Sequence, residues 1–179
     1  MWPPDIITGF DAFLAARDLE LDAVVVGGAA LALLGVISRR TRDCDVLYPP
    51  LSAEIIEAAR AFALRVRVEG DVLADDWLNN GPSSLADCLP AGWRDRTQLV
   101  FAGPAVTLRT LGRLDLLRSK LFALCDRGTD LGDCLALRPT AAELDEIAPW
   151  LEQQDTHPDW PAHTRATLAD LRRRLGHGV

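Results

Sequence analysis

Apolar residues recur at helical spacing through Ile6, Ile7, Phe10, Phe13 and Leu14, behind Pro3, Pro4 and a capping candidate, Asp5. That pattern predicts a first helix ending near Asp18. Residues 21–26 form a continuous valine-rich run, as in a strand buried on both faces. Gly27 and Gly28 break it, and residues 29–34 then read as a short helix closed by Gly35. Residues 43–48 read as a second strand, stopped by Pro49 and Pro50. Ser52 can cap the next helix, with Glu54 in its first turn and Ile55, Ala59, Phe62 and Ala63 facing inward. Residues 64–69 alternate apolar and charged, which predicts a third strand with one wet face.

From 71 to 96 the periodicity fades into a loop region with a short helix or two. Residues 98–101 and 105–108, joined across Ala102-Gly103-Pro104, predict a hairpin. Helical patterns follow over 114–125 and from Thr129 or Asp130 to just before Pro139. Thr140 and Glu143 form a capping box that opens a helix with Leu144, Ile147 and Leu151 inward. Residues 155–161 read as a loop before a last, arginine-rich helix. Strands interleaved with helices come first, and helices alone follow. The fold class predicted is α/β (α+β): a small mixed sheet flanked by helices, with a helical C-terminal part. A single domain over 1–179 is expected, with the sheet in 1–110 and the helices in 111–179.

Composition narrows the function. The net charge of −7 argues against a non-specific nucleic-acid binder, which needs a basic face to displace counterions. Arg39, Arg40 and Arg42 still make a local basic patch, and Arg172, Arg173 and Arg174 read as a solvated helix end. The four cysteines carry no C-x-x-C spacing and read as free thiols in a reducing compartment. The start MWPPDII lacks the basic and apolar regions of a signal peptide, and the longest apolar stretch is too short to span a membrane. A soluble cytoplasmic protein without membrane contact is expected. His157, His163 and His177 show no ligand spacing.

The chemistry concentrates at Asp43 and Asp45. On a strand, residues two apart share a face, which sets these acids about 7 Å apart at Cα. Paired carboxylates suit Mg²⁺, which takes oxygen ligands and shares them with substrate phosphates. With 19 aspartates in the chain, chance alone yields about two D-x-D matches, so the pair also fits a solvated strand edge. Gly27 and Gly28 alter that balance. They close a buried strand and open a helix, leaving backbone N–H groups that no side chain of their own shields from phosphate oxygens. Neither the P-loop nor the Rossmann fingerprint is present.

The glycine pair, the short helix ending in Leu34-Gly35 and R-x-T-x-D-x-D at Arg39, Thr41, Asp43 and Asp45 together resemble the signature of the polymerase-beta-type nucleotidyltransferase superfamily. The similarity is closest to small prokaryotic members that resemble AbiEii-type toxins. A second block, LDLLRSKLFALCDRGTDLGDCLAL, resembles that group's pattern at Lys120, Ala123, Arg127, Asp130 and Asp133. WLNN at Trp77 to Asn80 resembles a segment of one uncharacterised branch.

The resemblance implies a nucleoside triphosphate as substrate, with Mg²⁺ (or Mn²⁺) held by Asp43 and Asp45 and phosphates bound at Gly27, Gly28, Arg39, Thr41 and Lys120. It implies Asp43, Asp45, Lys120, Asp130 and Asp133 as the catalytic set. The acceptor hydroxyl would belong to tRNA, a protein or a small molecule, and a cognate toxin or antitoxin would be the partner. A degenerate relative that binds nucleotide without catalysis is the alternative, and an unrelated α/β protein a third. Many enzymes of this fold carry a third carboxylate on a neighbouring strand. The 98–108 hairpin has no acid, leaving Glu69 and Asp71 as weak candidates beside Lys120 with Asp130 or Asp133. Lys120 fits either a charge reaching a triphosphate or a lysine snorkelling at the edge of its stripe. Asp130 and Asp133 also fit ordinary first-turn acids. Trp77 is a core or loop anchor unless it stacks a base that Asn79 and Asn80 would hydrogen-bond.

Overall fold

The computed structural model describes residues 3–39, 41 and 43–177; Arg40 and Arg42 of the basic patch lie outside these. The chain divides into two compact units, Met1–Asp87 with Ala91–Gly112, and Cys88–Pro90 with Arg113–Val179. The first holds helix α1 (Pro3–Ala15), strand β1 (Leu21–Val26), α2 (Gly27–Leu33), β2 (Cys44–Tyr48) and α3 (Ala53–Val68). It continues with β3 (Leu78–Asn79), α4 (Leu85–Cys88, whose last residue falls in the second unit), a 3₁₀ turn at Trp93–Arg96, β4 (Gln98–Ala102) and β5 (Val106–Thr110). The second unit is helical, with α5 (Arg113–Arg127), α6 (Leu131–Leu137), α7 (Ala141–Leu151) and α8 (Trp160–Leu175). The fold is thus α/β in the mixed, α+β sense: one five-stranded mixed sheet with flanking helices.

The sheet order is β3-β2-β1-β5-β4. β1 lies at its centre, antiparallel to β2 and parallel to β5, which explains its unbroken apolar run. Four of its last four residues are buried, and only Asp22 is exposed. β4 and β5 form the antiparallel hairpin expected about Gly103-Pro104. The N–H groups of Ala105 and Val106 donate to Asp11 Oδ1 on α1, at 2.9 and 2.8 Å. A buried carboxylate thereby satisfies two backbone donors where β5 begins, which is what makes its burial tolerable. Phe10 and Phe13 of α1 pack with Phe62 of α3, and Phe10 meets Trp77 edge-on at 5.1 Å between centroids.

One expected strand is absent. Residues 64–69 continue α3 to Val68, with Glu69 at its C-cap. The alternation there is real, but Phe62, Ala63 and Val66 also fit the helical stripe begun by Ile55 and Ala59, and all five are buried. Continuing a capped helix adds one backbone hydrogen bond per residue, whereas a new strand must find a partner. The residues left over, Leu64 and Val68, are exposed. Asp5 lies inside the first turn of α1 rather than ahead of it.

The second unit packs α5, α7 and α8 around Leu117, Leu121, Leu144, Ile147, Leu151 and Leu171, all fully buried. The capping box is present: Thr140 Oγ1 accepts from the Glu143 N–H, while the Thr140 N–H donates to Glu143 Oε2. Arg113 at the head of α5 grips the same carboxylate with two N–H groups. Arg172, Arg173 and Arg174 pair with Asp145 and Asp170 at the surface, as a solvated helix end should. Among the described residues no helix is long and apolar enough to cross a membrane. The cysteines are free thiols.

The grip on Glu143 has a pH signature. Hydrogen bonding from Arg113 comes first, with the Thr140 contacts behind it, and together they pull the carboxyl down from 4.5 to about 2. An unfolded glutamate therefore takes up its proton first as pH falls. The stability the group contributes is complete above about pH 4.5 and disappears as pH drops toward 2. Glu143→Gln is expected to cost about 1 kcal/mol at neutral pH, discounted for the half-exposed Arg113. It should also flatten the acid limb of stability, and urea unfolding at pH 7 and pH 3 checks both.

Candidate active site

β1 runs extended to Val26 and turns into α2 at Gly27, whose φ is +72°. Only glycine adopts that left-handed backbone without penalty. Space imposes a second requirement. A Cβ on Gly27 would stand 2.6 Å from Asp45 Oδ2. One on Gly28 would stand 2.6 Å from Thr41 Cγ2, with an Arg39 guanidinium nitrogen at 3.7 Å. Side chains of the R-x-T-x-D-x-D stretch thus occupy the volume that the two missing Cβ atoms leave open. The register explains the meeting, because antiparallel pairing sets Val26, the last residue of β1, opposite Asp45 on β2.

The structure therefore brings Gly27, Gly28, Arg39, Thr41 and Asp45 to one corner. Asp43 differs from the two-on-a-strand expectation, since β2 begins at Cys44 and Asp43 is exposed just before it. Asp43 lines a crevice with Thr41, Ala29, Cys44, Trp77 and Ile6; of the residues at the glycine corner, this crevice shares Thr41. Thr41 Oγ1 lies 3.5 Å from the Asp43 carbonyl. Cys44, between the acids, is buried in the core, and burial followed by the charge of Asp45 pushes its thiol up to about 12. It remains a neutral thiol.

The WLNN stretch braces β2. Trp77 is buried and donates through Nε1 to the Ala59 carbonyl of α3, and its own carbonyl accepts from the Cys44 N–H. Leu78 and Asn79 form β3, parallel to β2, with Asn79 in register with Asp45. Asn79 Nδ2 donates to Asp45 Oδ1 at 3.3 Å. Asn80 donates to the carbonyls of Val46 and Pro49 and accepts from the Leu51 N–H. The base-reading role considered for Trp77, Asn79 and Asn80 is thus replaced by an internal one. The sequence carried the signal for this segment only as a short resemblance, because a two-residue strand has no periodicity to read.

Glu69, one of the weak candidates for a third acid, caps α3 and pairs with Arg65 at 3.0 Å. Asp71 follows in an exposed loop. Among the described residues no three histidine, cysteine or acidic side chains gather as a metal cage. The pair of acids offers hard oxygen donors and no sulfur or imidazole, a set that fits Mg²⁺ sharing its shell with phosphate oxygens.

The second block folds into a charge cluster inside the helical unit. Lys120 on α5 is 5% exposed and donates from Nζ to Asp133 Oδ2 of α6 at 2.8 Å, with Asp130 Oδ2 at 3.4 Å. It is buried and paired, so the snorkelling alternative is set aside. Asp130 stands at the N-cap of α6 with φ +68° and makes no side-chain cap; its carboxylate serves Lys120 instead. Asp133 is 3% exposed, too buried for an ordinary first-turn acid. Burial and the nearby Asp130 push the neighbouring Cys134 thiol up to about 12.

Residues 6–136 match the family model described as "Nucleotidyltransferase of unknown function (DUF6036)". No curated protein and no solved structure matches the chain.

Two measurements probe these contacts. Gly27→Ala is expected to lose about 1–2 kcal/mol for its backbone angle, with a further loss from the Asp45 collision. Gly35→Ala is the control, since Gly35 has φ +70° and nothing within 4 Å of its Cβ position. The excess loss in Gly27→Ala over the control, read by urea unfolding, isolates the carboxylate contact. Lys120→Met should cost about 3–5 kcal/mol by stranding Asp133, and Lys120→Met with Asp133→Leu should recover part of it.

Proposed function

The chain belongs to the family of nucleotidyltransferases of unknown function just matched, and from that premise we propose that it moves a nucleoside monophosphate from a nucleoside triphosphate to a hydroxyl acceptor. The observation that supports this reading is the seat of the Asp45 carboxylate against Gly27, which puts one of the two acids at the glycine corner. Asp43 and Asp45 would hold Mg²⁺, with Mn²⁺ fitting the same oxygen donors. The bound ion would supply charge neutralisation at the phosphates. The chain's own residues do the rest by positioning, which dominates phosphoryl chemistry of this kind.

In this reading the backbone at Gly27 and Gly28 receives phosphate oxygens, and Arg39 and Thr41 order the loop that carries the acids. The acceptor oxygen bonds to the α-phosphorus as the bond to pyrophosphate breaks. For Lys120, Asp130 and Asp133 the catalytic role rests on the resemblance; their cluster supports it in that all three charges are held in a defined geometry. The acceptor is proposed to be tRNA, a protein side chain or a small molecule. The biological setting proposed is a toxin–antitoxin or phage-defence module in the cytoplasm, with a cognate toxin or antitoxin protein as partner. A second reading, nucleotide binding without transfer, is favoured by one observation: no third acid joins the pair among the described residues.

Incubation with α-phosphate-labelled triphosphates, Mg²⁺ and cell extract separates the two. Transfer is expected from the wild type, with Asp43→Asn and Asp45→Asn each reducing it about 10²–10⁴-fold, the rate equivalent of several kcal/mol of charge stabilisation. Calorimetric binding of triphosphate without any label transfer would establish the regulator instead.

A further inference from the structure

We infer that Asn79 is a positioning residue that sets the orientation of the Asp45 carboxylate before any cation arrives. The inference rests on the two-acid reading above and goes beyond it, since no part of that reading assigns Asn79 a task.

The amide of Asn79 has only one consistent orientation. Gly81 N–H, which can only donate, lies 2.7 Å from one terminal atom, so that atom is the oxygen, Oδ1. The other is then Nδ2, a donor, and it meets Asp45 Oδ1 at 3.3 Å and the Asp76 carbonyl at 3.3 Å. A flipped amide would set oxygen against a carboxylate and a carbonyl together, leaving the Gly81 N–H facing an NH₂. The Gly81 contact is itself tight, because a Cβ there would stand 2.8 Å from Asn79 Oδ1. Parallel pairing of β3 with β2 sets Asn79 in register with Asp45, so the amide arrives on strand geometry rather than by a loop.

Oδ1 of Asp45 is thereby held by the Asn79 amide, while Oδ2 occupies the space that the missing Cβ of Gly27 leaves open. A ligand held in this way loses little rotamer freedom when it binds a cation, and partners of this type commonly change metal affinity by about 10–100-fold. An acid at this position would repel Asp45 in the absence of metal and add a ligand in its presence.

The test measures Mn²⁺ binding to the full-length protein by electron paramagnetic resonance of the free ion, with melting temperatures recorded with and without Mn²⁺. Asn79→Ala is expected to weaken Mn²⁺ binding about tenfold. Asn79→Asp retains the acceptor for Gly81 N–H and so keeps the turn. It is expected to lower the melting temperature without metal, tighten Mn²⁺ binding about tenfold, and show a larger Mn²⁺-induced rise in melting temperature than wild type. A purely structural Asn79 predicts melting shifts in both variants with the wild-type Mn²⁺ constant, and that result overturns the inference alone. Should Asn79→Ala fail to fold, Asn79→Asp decides the matter by the same comparison. Absence of Mn²⁺ binding in the wild type overturns the two-acid reading and this inference with it.

Discussion

The contact between the Asp45 carboxylate and Gly27 constrains more of this molecule than its size suggests. For it to exist, β1 must end at Val26, the chain must leave in a left-handed turn, and β2 must pair antiparallel with Val26 opposite Asp45. A shift of one residue in that register would turn Asp45 toward the core and bring Cys44 or Val46 to the corner. Burial of Cys44 and Val46 on one side and the chemistry of Asp45 on the other therefore depend on a single alignment. The hydrophobic pattern enforces it, since slipping would place a charge among Phe10, Phe62 and Trp77.

The same logic governs the other buried charges. Asp11 lies inside because two backbone donors at the start of β5 need an acceptor there. Lys120 lies inside because Asp133 is buried beside it and Asp130 stands at the rim. An unpaired ion at either site would be strongly destabilising, whereas a paired one gives little net stability and a defined geometry. Glu143 is the surface counterpart, serving a helix cap and an arginine at once.

Local sequence was informative wherever one element dictated its own pattern. The buried centre of β1, the capping box at Thr140 and the hairpin about Gly103 were all legible from spacing and turn chemistry. Residues 64–69 were not, because a run of six that alternates also fits the last turns of an amphipathic helix, and only the continuing stripe from Ile55 to Val66 decides between them. β3 was invisible for a different reason. Two residues carry no period, and Leu78 and Asn79 count as a strand only through their pairing with Cys44 and Asp45.

By itself the sequence determined that a glycine pair and two acids lie close along the chain, that sheet-forming segments precede helical ones, and that the chemistry on offer is oxygen-rich and acidic. Those properties are local, set by backbone permissiveness, hydrophobic period and residue type. Tertiary structure decided which atoms meet: the carboxylate of Asp45 over Gly27, Thr41 over Gly28, the Asn79 amide beside the acid, and Lys120 between two aspartates. Such meetings depend on strand register and helix packing between residues as far as 34 positions apart, as for Asn79 and Asp45. Hydrophobic spacing along one segment contains no term for that pairing.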